Sequence, residues 1–224
     1  MNIITTRLGI TIEEQTIESR FQGCNPNLDT CEVDPVAILE MRLLPDPILR
    51  KQAKKVAKVT PQLKTLVENM VETMRDQRGV GLAANQVGSL QKVAVIETPD
   101  MEDPLVLINP EVMKTEGERQ VEEGCLSVPG YRGLVNRSET VRVKAMGLDG
   151  KTYRLNADDL LAQALEHEID HLNGILYIDH LVSHESLYKI TYHDHDDDED
   201  ELDGYQDETE DSVDSETSAS VSDD

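Results

Sequence analysis

Glu166-His167-Glu168-Ile169-Asp170-His171 sets two imidazoles four residues apart with a carboxylate between them. On an α-helix, residues i and i+4 stand one above the other on one face, so His167 and His171 are spaced to grip one cation. Glu168 lies about 100° round the helix from His167. From there its carboxylate cannot easily join the same coordination sphere, yet it can reach a water held by the cation, which is where a general base belongs. The pattern H-E-x-x-H serves metal-assisted hydrolases. It also arises by chance, and two such histidines then decorate an ordinary amphipathic helix.

Working outward, Asn156 offers an N-cap, Asp158 and Asp159 fill the first turn, and Asn173-Gly174 ends the pattern, which predicts a helix over about 157–172. Leu160, Leu161, Ala164, Leu165, Ile169 and Leu172 recur at helical spacing and would carry the histidines towards the interior. Further upstream, Thr60-Pro61 followed by Leu63, Leu66, Val67, Met70, Val71 and Met74 predicts a long N-terminal helix over 61–76. Between the two, Lys92 to Ile96, Leu105 to Ile108, Thr140 to Met146 and Thr152 to Leu155 are short, β-branched and bounded by turn residues, as strands are. Asp149-Gly150 is a hairpin signal joining the last two. Helix, several strands, then helix is the order of an α+β fold, with antiparallel sheets packed around a central metal-binding helix.

The chain has 224 residues and a formal charge of -24, which is unevenly spread. Residues 193–224 hold 16 Asp or Glu and no Lys or Arg, and this acidic C-terminal tail has the composition of a disordered segment. Residues 1–37 lack sustained periodicity and read as an irregular N-terminal extension, leaving 38–192 as one catalytic domain. No basic block points to nucleic acid, and no apolar run is long enough to span a membrane. The first 40 residues carry seven acidic side chains against Arg7 and Arg20, unlike an organellar transit peptide, so a cytoplasmic location is expected. Cys24, Cys31 and Cys125 cannot all pair within one chain, which suits a reducing compartment.

A catalytic site of the zinc type wants three protein ligands and one open position. Cys125, in Glu123-Gly124-Cys125-Leu126-Ser127, is the candidate third ligand, the alternative being a buried structural thiol. His180 and His184 are further candidates downstream. Gly79-Val80-Gly81-Leu82-Ala83-Ala84-Asn85-Gln86 lacks the spacing of a nucleotide-binding turn. Its small residues followed by Gln suit a cleft wall where a substrate backbone comes close and an amide meets developing charge.

In these three stretches the chain resembles the peptide deformylases, whose hallmarks G-x-G-L-A-A-x-Q, E-G-C-L-S and H-E-x-x-H stand here as Gly79 to Gln86, Glu123 to Ser127 and His167 to His171. The likeness runs from about residue 38, through Leu44 to Arg50, to about Leu181. It implies removal of the formyl group from the N-terminal formyl-methionine of new polypeptides, at the ribosome, by a divalent metal on Cys125, His167 and His171. The family's usual metal is Fe(II), with Zn or Ni tolerated. The resemblance further implies Glu168 as the proton acceptor, and Gln86 with the backbone N–H of Leu126 as stabilisers of the oxyanion. Val80, Gly81, Glu123 and Gly124 are then the residues beside an extended substrate.

Two departures stand out: Glu166 replaces the Gln that usually precedes the first helix histidine, and an acidic tail replaces the basic helix common in bacterial forms. The competing readings are an H-E-x-x-H metallopeptidase with a downstream third ligand, and a non-catalytic binding protein on a deformylase scaffold.

Overall fold

Thr60 caps the first helix as its position requires, its Oγ1 accepting from the Leu63 N–H at 3.3 Å. This helix, α1, spans Pro61–Asp76 in the computed structural model, which describes residues 36–190. Nearly all of the extension expected at 1–37, with Cys24 and Cys31, and the whole tail expected at 193–224 lie outside the described residues.

After α1 come β1 (Gly81–Ala83), a 3-10 turn (Ala84–Val87), β2 (Val93–Ile96), β3 (Leu105–Glu116), β4 (Arg119–Cys125), β5 (Val128–Arg137), β6 (Thr140–Met146), β7 (Thr152–Asp158), α2 (Asp159–Asn173) and β8 (Leu187–Lys189). Every strand pairing is antiparallel. One sheet has the order β1-β2-β3-β6-β7 and the other β4-β5-β8. The fold is therefore α+β, built on antiparallel sheets.

β2 shows how the five-stranded sheet is held. All four of its residues are buried, and the period of two divides them between two cores. Val93 and Val95 pack with Leu63, Val67, Met70 and Met74 of α1, while Ala94 and Ile96 pack with Leu165, Ile169 and Leu172 of α2. Each helix thus covers one face of the same sheet, and each fully buried Leu, Ile or Met contributes roughly 1.5–3 kcal/mol. The three-stranded sheet has a smaller cluster of its own, in which Val128, Val135 and Tyr177 take in Cys125.

α2 begins later than its sequence signals predict. Asn156 is not a cap but a residue of β7, paired with Arg142 of β6 and accepting from its Nε at 2.7 Å. The ladder continues to Asp158 opposite Thr140, and the chain enters the helix only when the pairing ends. Leu160, expected to face the core, is 41% exposed because it sits in the first turn, beyond the reach of the sheet. The far end agrees with expectation: Gly174 adopts φ 79 and its N–H donates to His171 O, a left-handed cap that glycine takes without steric cost. β3 runs eight residues beyond Ile108, since its polar outer half still pairs with β6.

Candidate metal centre

β4 and α2 supply the site between them. Glu123 and Cys125 stand two residues apart on β4, so both side chains leave the same face of the strand. His167 and His171 stand one turn apart on α2, with ring centroids 4.9 Å apart. Cys125 Sγ is 3.1 Å from His171 Nε2, and one ligand atom from each of Cys125, His167 and His171 lies within 4.8 Å of the others. Ligand atoms of a tetrahedral thiolate-imidazole site stand roughly 3.3–3.6 Å apart, so the donor set fits a divalent cation with small adjustments of the side chains. His180 and His184 do not join this group.

The His167 ring is oriented from behind. Its Nδ1 lies 2.9 Å from Glu123 Oε2, and a carboxylate there favours the proton on Nδ1 and leaves Nε2 free to ligate. Glu123 in turn accepts from Arg137, Nε to Oε1 at 2.8 Å and Nη2 to Oε2 at 3.1 Å, while Arg137 Nη1 reaches Asp170 Oδ2 at 2.6 Å. Glu123 and Arg137 are both buried, which they tolerate because each charge is paired and hydrogen-bonded. Burial is the largest influence on the Glu123 carboxyl and pushes it up, but the bonds from His167 and Arg137 outweigh it and hold the group at about 2. The resemblance puts Glu123 beside the substrate; its side chain is committed to His167 and Arg137.

Glu168 is buried at 3% exposure, and burial pushes its carboxyl up to about 7. That suits a group that must take and return a proton near neutrality. Its Oε2 has no hydrogen-bond partner among the described residues. Its Oε1 packs against β1, where a Cβ on Gly81 would stand 2.4 Å from it. Glycine at 81 thus makes room for the Glu168 carboxyl. Burial likewise drives His171 well below the ordinary imidazole range, which keeps it neutral as a ligand must be. For His167 burial acts in the same direction, but Cys125 and Glu123 raise it well above that range.

The Gly79 to Gln86 stretch forms β1 and the turn after it. Gln86 is 1% exposed and is fixed at both ends of its amide: Oε1 accepts from Ala83 N at 2.8 Å, and Nε2 donates to Ser127 Oγ at 3.2 Å and faces Cys125 Sγ at 3.7 Å. Leu126 follows β4 with its side chain against Gly79, where a Cβ would meet its Cδ1 at 2.7 Å. Val80 O accepts from Glu97 N at 2.8 Å, and Gly124 is exposed on β4. The structure brings Cys125, His167, His171, Glu168 and Gln86 together, with β1 and β4 the terminal strands of their sheets.

Three residues of this neighbourhood have no role in the sequence reading, although Asn85 and Ser127 lie within its motifs. Asn85 is fully buried and donates to His171 O at 2.6 Å, tying the turn after β1 to the end of α2. Ser127 pairs with Gln86 as described. Arg137 had one readable signal: it shares a face with Val135 in an otherwise alternating strand, a charge where an apolar residue is due.

Comparison with known proteins agrees with this geometry. The profile of the family described as polypeptide deformylase matches residues 38–186. A peptide deformylase of Dehalococcoides mccartyi is 50% identical over 155 residues, covering 69% of this chain and 93% of the relative. One from Halothermothrix orenii is 49% identical over 145 residues, covering 65% and 94%. Among solved structures, a peptide deformylase from Legionella pneumophila superposes with a TM-score of 0.63 at 46% identity, covering 65% of this chain and 86% of that one. One from Synechococcus elongatus, crystallised with actinonin, gives 0.64 at 41% identity, covering 66% and 81%. With the matched region enclosing every residue of the cluster around Cys125, His167 and His171, the chain belongs to the polypeptide deformylase family.

Proposed function

We propose that this chain is a metal-dependent hydrolase that removes the formyl group from the N-terminal formyl-methionine of nascent polypeptides, with Cys125, His167 and His171 holding one divalent cation. The observation that carries the reading is the convergence of those three side chains within 4.8 Å beside the Glu168 carboxyl. The cation proposed for the cell is Fe(II), with Zn or Ni as substitutes, since a thiolate and two imidazoles suit all three.

When bound, the cation supplies a Lewis acid and brings water into its nucleophilic range near neutral pH. Glu168, whose carboxylate makes no hydrogen bond among the described residues and is free to act as a base, takes the proton of the attacking water and returns it to the departing amine. Gln86 Nε2 and the backbone N–H of Leu126 donate to the oxygen that gains charge as the formyl carbon becomes tetrahedral. Val80 and Gly81 on one side, and Gly124 with the Glu123 backbone on the other, receive the peptide as an added strand between the ends of the two sheets. The catalytic unit is read as 38–192, with 1–37 and 193–224 as appendages, acting on chains at the ribosome in the cytoplasm. No helix among the described residues is long and apolar enough to cross a membrane.

Anaerobic metal analysis coupled to formate release from a formyl-Met peptide tests this. The expected result is stoichiometric divalent metal and deformylation, with both lost in Cys125→Ser, because a neutral hydroxyl is a far poorer ligand than a thiolate. Unchanged metal content in that variant refutes the ligand assignment. A metal-loaded protein that leaves the formyl peptide intact refutes the activity.

A further inference from the structure

α2 grips the turn between β5 and β6 at two points one helical turn apart. Asp170 takes Arg137, as above, and Glu166 takes the next residue, Ser138. Both oxygens of Glu166 are used: Oε2 accepts from the Ser138 N–H at 2.9 Å and Oε1 from its Oγ–H at 2.9 Å. Ser138 is half-buried, so its backbone N–H and hydroxyl each need a partner, and one carboxylate satisfies both. Arg137 is joined to Ser138 by a single peptide bond and makes a two-point fork with Glu123, a geometry that tolerates little displacement. Glu123 stands at Nδ1 of His167.

We propose that Glu166 is a positioning residue for His167: by fixing Ser138 against α2 it sets Arg137, and through Arg137 the carboxylate of Glu123 that orients the imidazole towards the cation. The route starts and ends on neighbouring residues of one helix, 166 and 167, yet runs through two strands of the other sheet. A group that holds the partner of a metal-binding histidine governs affinity as well as shape, and loss of such support weakens binding by about tenfold or more. A carboxamide would serve as well as a carboxylate. Its Oε1 can accept from the Ser138 N–H while its Nε2 donates to Oγ, a hydroxyl being able to accept as readily as it donates.

The proposal rests on the reading that Cys125, His167 and His171 hold a cation, and the test separates the two. The full-length protein is stripped of metal and titrated with Co(II), reading both the dissociation constant and the visible absorption of the cobalt centre. Wild-type protein should bind Co(II) with a thiolate-imidazole spectrum. Glu166→Ala should bind about tenfold more weakly with a displaced absorption band, whereas Glu166→Gln should return both to the wild-type level. If Glu166→Ala does not fold, the pair Glu166→Gln and Glu166→Gln/Ser138→Ala decides the matter. The double variant strands the amide without its hydroxyl acceptor and should weaken Co(II) several-fold relative to Glu166→Gln. Wild-type affinity and an unmoved band in Glu166→Ala, or in the double variant, overturn the positioning role whatever the melting temperatures do. Wild-type protein that takes up no Co(II) overturns the metal reading itself, and this inference with it.

Discussion

α1 and α2 are nearly equal in length, at 16 and 15 residues, and cover opposite faces of one sheet, but they bury different chemistry. α1 hides Leu63, Val67, Met70, Val71 and Met74, with Thr73 its one buried polar residue. α2 hides Glu168 and His171 among its apolar residues and sends His167 and Asp170 into a buried ion network. Packing alone can seat α1, since apolar contact has no direction. α2 must also meet Asn85, Glu123, Cys125, Arg137 and Ser138 at bonding distance, so its register against the strands is specified far more tightly. The helix that does only structural work is the one whose sequence reads most simply.

Substitutions should separate the two helices sharply. Glu168→Gln on α2 should lower kcat/KM on a formyl-Met peptide by about 10²–10⁴-fold while metal content and melting temperature hold, because it removes the proton acceptor without touching a ligand. Turnover at the wild-type level would end the role given to Glu168. Gly81→Ala should come next: a Cβ 2.4 Å from Glu168 Oε1 forces the carboxyl to move, and a displaced general base costs about 10²-fold. Steady-state kinetics should place that loss mainly in kcat, and an unaffected kcat would mean that β1 gives way instead.

On α1 the pattern should invert. Met70→Ala empties a fully buried site and should cost about 2–5 kcal/mol in denaturant unfolding, with kcat of the folded fraction close to wild type. A large kcat loss in that variant would show that α1 too is coupled to the site. The smallest effect belongs to Arg75 near the end of α1, whose guanidinium bonds Glu97 at 2.8 and 2.6 Å. That bond holds the Glu97 carboxyl below its ordinary value of 4.5. A depressed carboxyl stabilises the fold above its unfolded pKa, and the contribution disappears as pH falls through the folded one. Because the Arg75 side chain is 44% exposed, Arg75→Ala should cost only about 0.2–1 kcal/mol at pH 7, and the gap from wild type should close in acid. A gap that widens on acidification would reverse the assignment.

The same contrast explains what the sequence made legible. Thr60-Pro61 and the Leu63 to Met74 stripe announce α1 through local rules alone, and Gly174 announces the end of α2 in the same way. Asn156 misled because it is a good cap in isolation, whereas the pairing of β6 with β7 carries it as a strand residue; tertiary pairing outweighs a local preference of about 1 kcal/mol. The three candidate ligands, Cys125, His167 and His171, were visible because each lies in a motif with its own spacing. Arg137 and Ser138 were not, since nothing near them in sequence indicates Glu123, fourteen residues earlier, or Glu166, twenty-eight later. Gly81 was legible as a demand for space, but its packing against the Glu168 carboxyl, eighty-seven residues later, was not.

The three proposed ligands are divided between the two sheets. Cys125 ends a strand of the three-stranded sheet, and His167 and His171 ride on a helix seated on the five-stranded one. A cation bound there is mechanically a rivet through the seam, closing a loop of 46 residues between Cys125 and His171 much as a covalent cross-link would. Its removal should be felt first at the joint between the sheets, as faster amide hydrogen exchange in β4 and β5, while β2, sandwiched between two apolar cores, keeps its protection.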